Sequence, residues 1–409
     1  MVLSQDLVYE KFSEFYTNYS ADIPSPSSIR EREFAFLLSK ERIMMRHRGF
    51  ANISELRLFL SEIVPSDVYY SCAYYENPEA DMDKKGWLGA DLVFDIDADH
   101  IPTSCNKTHD EWTCTKCGFS GKGITPETCP VCEGQKFDIK TWPCELCLSS
   151  AKEETAKLVD MLENDFGFSE KEIHVFFSGH RGYHVHIENE AIRTLDAMAR
   201  KEIVDYVSGI GLVISGGEAE GKSKGKSSRP FSLHDFGWNK RLKLGMRDFL
   251  SKATKEDLRN AGIRINYDAI LQHKEAILKS SMEEGRWDSV KGVSAKTWTK
   301  IAEHVKSLQS AKIDTVVTTD IHRLIRLAGT LHGKTGLRKV EFPVKNLKDF
   351  DPFKEAVAFK KGHVKVFVSD APEFKLGGTA FGPYKGQTVE LPTAAAVLLI
   401  CKGRAEVAK

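Results

Sequence analysis

Short runs of alternating apolar and polar positions, set between stretches of helical spacing, divide this chain of 409 residues. Val8, Phe12, Tyr16 and Tyr19 recur every three or four positions and predict an amphipathic helix; Ile53-Ser-Glu-Leu-Arg-Leu-Phe-Leu predicts a second. Residues 1 to about 65 therefore read as helical, with Arg32-Glu-Phe-Ala-Phe and Ile43-Met-Met-Arg-His-Arg between the two helices. β-Branched and aromatic content predicts strands at Asp67–Tyr75 and Asp91–Ala98. A cysteine-rich segment, 105–147, interrupts this sheet pattern, and a helix over about 149–164 leads to strands His174–Phe177 and Tyr183–Ile187. From about 245 to 310 the apolar positions Phe249, Leu258, Ile270, Ile277, Ile301, Val305 and Leu308 return to helical spacing. Sheet-like patterning reappears at Asp314, Lys339–Pro343 and Val364–Val368. The expected class is α/β with mixed α+β character. A mixed-sheet domain is built from 1–104, 148–195 and 311–371; it holds the insertion at 105–147 and a mostly helical insertion at 196–310, and 372–409 is a tail with a short helix.

Composition adds limits. A hydrophobic fraction of 41% beside 28% charged residues is that of an ordinary globular protein, and 409 residues suffice for two or three units with their own cores. Lys plus Arg and Asp plus Glu both number 58, so a polyanion would have to be met by local clusters of charge rather than a global field. The longest apolar stretch, Ala394–Cys401, is too short to cross a bilayer, and the acidic, aromatic N-terminus does not read as a signal peptide. The chain is expected inside the cell, with no membrane partner.

Seven of the nine cysteines lie between Cys105 and Cys147, six of them as three CxxC pairs. Such pairs in an intracellular chain of this size read as metal knuckles rather than disulfides. Cys114-x-x-Cys117, eleven residues, then Cys129-x-x-Cys132 has zinc-ribbon spacing. Cys132 and Cys144 are also eleven residues apart, so the second and third pairs offer the same spacing.

In Asp91-Leu-Val-Phe-Asp-Ile-Asp-Ala-Asp a strand period of two puts Leu92, Phe94, Ile96 and Ala98 on one face and Asp95 with Asp97 on the other. Two carboxylates so close repel unless a cation sits between them, and hard oxygen ligands suit Mg²⁺ or Mn²⁺. A half-exposed edge strand with solvated acids would look the same. In Phe176-Phe-Ser-Gly-His-Arg-Gly-Tyr-His-Val-His-Ile, Gly179 and Gly182 allow close backbone approach, Arg181 can fork onto phosphate, and Ser178 and His184 can donate further hydrogen bonds. His184 and His186 share a strand face, but two histidines without a third ligand are more often not a metal site. In Asp314-Thr-Val-Val-Thr-Thr-Asp-Ile-His-Arg-Leu-Ile-Arg-Leu-Ala-Gly, Thr318 or Thr319 reads as an N-cap. Ile321, Leu324, Ile325 and Ala328 form a helical stripe, Gly329 a C-cap, and Arg323 and Arg326 lie one turn apart with His332 and Lys334 following. This reads either as a surface helix with solvated charge or, beside the third acid Asp314, as cations for a triphosphate. The Gly- and Lys-rich run with Lys222, Lys224, Lys226 and Arg229 reads as a solvated linker, with tracking of DNA phosphates as the functional alternative.

Taken together, Val93-Phe-Asp-Ile-Asp, a cysteine knuckle, Ser178-Gly-x-Arg-Gly-x-His, and Asp314 followed by Arg326 and His332 resemble the archaeo-eukaryotic primase small subunit over about residues 30–370. Phe350-Asp-Pro-Phe resembles a segment of the same family. The resemblance implies a primase-type catalytic domain that starts chains on a single-stranded DNA template from NTPs or dNTPs. Mg²⁺ or Mn²⁺ would be bound by Asp95, Asp97 and Asp314, with a large primase subunit as partner. It implies nucleotide contacts from Arg46, Ser178, Arg181, His184, Arg326 and His332; His180 in the same turn and the neighbouring cations Arg323 and Lys334 join them as candidates. It also places the family knuckle at Cys144 and Cys147, with Cys105 and His109 as first ligands, leaving Cys114, Cys117, Cys129 and Cys132 for a second structural Zn²⁺. The setting would be cytoplasmic in an archaeon and nuclear in a eukaryote. His180 stands where many relatives carry a second arginine, His186 replaces a common tryptophan and Met44 a frequent tyrosine, which leaves sugar preference open. The alternatives are a repair primase-polymerase and a non-catalytic zinc-ribbon module that binds nucleic acid.

Overall fold

The alternation in Leu92–Asp97 folds as its pattern requires: Leu92, Phe94 and Ile96 are buried while Asp95 and Asp97 reach the half-exposed side. This strand edges a four-stranded antiparallel sheet whose order continues through Gly182–Ile187, Ile173–Phe177 and Val340–Phe342. A second four-stranded sheet runs Leu324–Arg326, Pro65–Ser71, Phe34–Leu38, Met44–Arg48. The computed structural model describes residues 2–214, 235–264, 267–283 and 293–408. The Lys222, Lys224, Lys226 and Arg229 run lies outside the described residues.

The chain divides into two units, each with its own core. One contains residues 1–156, 169–201 and 312–409. Its core joins distant segments: Phe12 and Tyr16 from helix Val2–Tyr19, Leu56 and Leu60 from helix Ile53–Ile63, Phe34, Phe36 and Tyr70 from the second sheet, and Val317, Ile325 and Val397 from the last third. Burying each such side chain contributes about 1.5–3 kcal/mol. The two sheets meet where the Tyr70 hydroxyl lies 3.3 Å from His186 Nδ1. The other unit, 157–168 with 202–311, is helical, and Met246, Leu250, Leu258, Ile270, Ile277, Ile301 and Val305 form its core. Leu308, expected on that face, is 44% exposed.

Three expectations need correction. Residues 1–65 are not all helical, because Phe34–Leu38 and Met44–Arg48 form a hairpin. Phe34 and Phe36 face the core two residues apart, and in a run this short period two and period 3.6 are hard to tell apart. The stripe Ile321, Leu324, Ile325, Ala328 is not a helix either. Asp314, not Thr318 or Thr319, caps a short helix, Thr315–Thr319, and the chain then extends as strand Leu324–Arg326 against Pro65–Ser71. Packing of Ile325 into the core opposite Tyr70 overrides the local spacing. Asp314 is thus a helix cap rather than part of a strand, and Gly329, at φ +79°, serves a turn instead of ending a helix. Finally, 372–409 is no appendage. Tyr384–Pro392 and Ala405–Val407 both pair with His363–Ala371, and the helix between them, Thr393–Cys401, is buried at Ala395–Leu399.

Candidate active site and metal knuckles

Register sets the acidic face. Asp95 stands opposite His184 and Asp97 opposite Gly182. A Cβ at position 182 would fall 2.2 Å from the Ile96 carbonyl oxygen, so only glycine lets the two strands close there. Asp314 arrives from the far part of the chain: its N–H donates to the Asp95 carbonyl at 2.8 Å. Its carboxylate accepts from the N–H groups of Val316 (2.9 Å) and Val317 (3.4 Å) at the start of the short helix. Burial, with Asp97 and Asp314 adding negative charge, pushes the Asp95 carboxyl up to about 7, against the pull of Arg323 and Lys339. Hard oxygens that repel in this way fit a divalent cation of the Mg²⁺ or Mn²⁺ kind. Among the described residues only the cysteine and histidine sets bring three or more ligand atoms within 4.8 Å of one another, so the three carboxylates are spaced more widely than those sets.

Beside the acids lies a group of cations and imidazoles. Arg326 is buried, with Nη1 2.6 Å from Asp67 Oδ1 and 3.3 Å from the Leu331 carbonyl. Burial alone would raise Asp67, but Arg326 above all, with the Gly333 N–H and the Ser66 hydroxyl, brings it down to about 2. His332 Nδ1 accepts the Lys334 N–H at 3.1 Å, and its ring stacks on His180 at 4.9 Å. Ser178 Oγ accepts from the N–H groups of His180 (3.3 Å) and Gly182 (3.2 Å), which shapes the glycine turn. His184 Nε2 stands 3.6 Å from Asp95 Oδ1, and its Nδ1 has no partner among the described residues. Burial first, then nearby cations, holds His180, His184 and His332 well below the ordinary imidazole range, so all three are neutral. Lys334 is exposed and Arg323 half-buried.

Two expected residues stand apart from this group. Arg46 sits on strand Met44–Arg48, at the opposite edge of its sheet from Arg326, with Nε 3.1 Å from Glu33. Arg181 is fully buried with its guanidinium toward the cysteines: it pairs with Asp99, with Asp110 Oδ2 at 2.9 Å, and lies 3.3 Å from Cys147 Sγ. Sequence reasoning missed Asp67, Asp110, Lys339 and Lys402. Only Asp110, next to His109, carried a local signal.

Seven cysteines and His109 form two groups of four, Cys105, His109, Cys144, Cys147 and Cys114, Cys117, Cys129, Cys132, each with all ligand atoms within 4.8 Å. Sulfur pairs lie 3.5 Å (Cys144–Cys105, Cys114–Cys132) and 3.6 Å (Cys117–Cys129) apart, near the ~3.8 Å edge of a tetrahedron with Zn–S of about 2.3 Å. His109 turns Nε2 toward Cys147 (3.6 Å), while its Nδ1 lies 2.7 Å from Asp110, the carboxylate that orients a metal-binding imidazole. Such sets fit Zn²⁺ without an open position, a structural role. None of the nine cysteines is in a disulfide, and among the described residues no helix is long and apolar enough to cross a membrane.

Comparison with known proteins agrees with this geometry. Residues 137–344, which hold Ser178, His184, Asp314, Arg326 and His332, match the family described as DNA primase small subunit. The chain is 34% identical over 407 residues to the DNA primase small subunit PriS of Cenarchaeum symbiosum, covering 98% of each. It is 33% identical over 400 residues to PriS of Nitrosopumilus maritimus, covering 97% of each. To PriS of Methanococcoides burtonii it is 34% identical over 415 residues, 97% of this chain and 96% of the other. Similarity that runs nearly end to end, through both the acidic strand and the histidine turn, means that this chain belongs to the DNA primase small subunit family.

Proposed function

We propose that the chain is the catalytic subunit of a DNA primase, joining nucleoside triphosphates into short primers on single-stranded DNA by nucleotidyl transfer. The observation that carries this reading is the meeting of Asp95, Asp97 and Asp314 beside the neutral imidazoles and Arg326, with Asp314 held to Asp95 by a backbone hydrogen bond. Mg²⁺ or Mn²⁺ bound by the three aspartates would supply the charge that activates a 3′-hydroxyl and shields the pyrophosphate. Around it the chain's own groups divide the work. Ser178, His180, His184 and His332 offer hydrogen bonds without repelling one another as cations would; Arg326, Arg323 and Lys334 balance the triphosphate charge. Arg326 and His332 are held in place by Asp67, which stays ionised. Arg46 and Arg181 would reach a nucleotide only by leaving their present partners. The two cysteine sets serve as structural Zn²⁺ sites. A large primase subunit is the expected partner, because a first step without a primer must hold two nucleotides at once. Archaeal relatives point to the cytoplasm.

The test is primer synthesis on unprimed single-stranded DNA with labelled NTPs or dNTPs and Mg²⁺ or Mn²⁺, with and without a large subunit. Asp95→Asn should lower product formation by about 100-fold or more while leaving the fold and zinc content intact. Equal product from wild type and variant, or none from either, would remove the catalytic assignment.

A further inference from the structure

The last helix, Thr393–Cys401, ends at Lys402, whose N–H closes the helix on the Leu398 carbonyl at 3.0 Å. A lysine at this position commonly serves the helix dipole, with its ammonium in water. Lys402 does something else. Its Nζ lies 2.6 Å from Nε2 of His180, the ring that stacks on His332. The imidazole is neutral, so Nε2 can accept from the ammonium. Positive charge surrounds this contact: Arg181 and Lys334 both act on Lys402, and burial with their help pushes it down to about 7. The nearby carboxylates are already engaged, Asp99 with Arg181 and Asp67 with Arg326 at 2.6 Å. Among the described residues no carboxylate lies within ion-pair distance of Lys402. A half-buried amine whose charged form is disfavoured by burial and neighbouring cations holds its proton best when an anion joins it. Only the tertiary fold brings it there, since strand Ala405–Val407 must pair with His363–Ala371 for the helix to end over the histidine turn.

Its position along the site is also defined. Lys402 acts on His180, His332 and Asp99, whereas the groups that act on Asp95 and His184 are Asp97, Asp314, Arg323, Arg326, His332 and Lys339. Asp95 is met by His184 at 3.6 Å, whereas Lys402 meets His180 in the turn before that strand, so the acid and the lysine engage different imidazoles of one hairpin. We propose that Lys402 is a further phosphate-binding residue, whose ammonium, with His180, His332 and Lys334, cradles the terminal phosphate of the incoming nucleoside triphosphate. The inference rests on the nucleotidyl-transfer reading above and adds a residue to that site.

The experiment measures binding of a nucleoside triphosphate, diphosphate and monophosphate, each with Mg²⁺, to the full chain by calorimetry. It compares wild type with Lys402→Met, Lys402→Arg and, as a control, Arg404→Gln, whose side chain faces Asp370 instead. Lys402→Met should weaken triphosphate binding by about tenfold or more and monophosphate binding by less than twofold. In primer synthesis KM should rise by a similar factor, with kcat within about twofold, while Lys402→Arg keeps most of the affinity and Arg404→Gln all of it. Triphosphate affinity of Lys402→Met within twofold of wild type overturns the proposal, as does an equal loss for all three nucleotides. Lys402→Arg decides the matter if the methionine variant does not fold: with the charge kept, triphosphate selectivity must be kept too. A wild type that binds none of the nucleotides instead brings down the nucleotidyl-transfer reading itself.

Discussion

Replacing Asp110 by alanine should uncouple the first cysteine set from the acidic strand. One carboxylate, 5% exposed, makes five contacts with four residues: its Oδ1 meets His109 Nδ1 (2.7 Å), the Trp142 N–H (3.2 Å) and Arg181 Nη1 (3.2 Å), its Oδ2 Arg181 Nη2 (2.9 Å) and Asn106 Nδ2 (3.0 Å). Arg181 is fully buried and precedes Gly182, and its carbonyl accepts the Ala98 N–H at 3.1 Å, directly after Asp97. Without Asp110 the guanidinium keeps only Asp99, one-third exposed, and the Cys147 sulfur. Removing one partner of a buried ion pair costs about 3–5 kcal/mol. Asp99→Ala, whose carboxylate is partly screened by water, should cost about 1 kcal/mol. Urea unfolding gives the stability, and metal analysis of the same samples gives zinc per chain. Asp110→Ala should lose both stability and the zinc of the Cys105 set, since His109 also loses the group that orients it. A loss below about 1 kcal/mol with both zincs retained would refute the idea that Arg181 ties the knuckle to the strand.

Gly182→Ala forces a methyl against the Ile96 carbonyl; it should destabilise the protein by about 1–3 kcal/mol or more and abolish primer synthesis, read by urea unfolding and the primer assay. Metal analysis should find two zincs per wild-type chain and one in either Cys105→Ser or Cys114→Ser, because the two sets share no ligand. Asp67 contributes stability above its ordinary pKa of about 3.9 that is lost as pH falls through its folded value of about 2. Asp67→Asn should therefore be less stable than wild type by about 2 kcal/mol at neutral pH, and urea midpoints of the two should converge between about pH 4 and pH 2.

Much of the site was legible locally. Alternation over a few residues states which side of a strand faces the core, so Leu92–Asp97 announced both its buried face and its paired acids. CxxC pairs carry their own ligand geometry, and helical spacing marked Val2–Tyr19, Ile53–Ile63 and Glu145–Asn164. Where a run was short, periodicity failed, as at Phe34–Leu38 and again at Leu324–Arg326, because long-range pairing and burial of Ile325 decided the backbone there. Partners were beyond reach altogether. Arg181 reads as a phosphate ligand from its glycine-rich turn, yet two acids from other segments take its guanidinium. Arg326 depends on Asp67, and Lys402 reaches His180 only because the last strand returns to the sheet. The sequence by itself determined which residue types stand on which face, since burial acts through local spacing. Only the tertiary structure decided which charges meet, since an ion pair depends on separation in space and leaves no period along the chain.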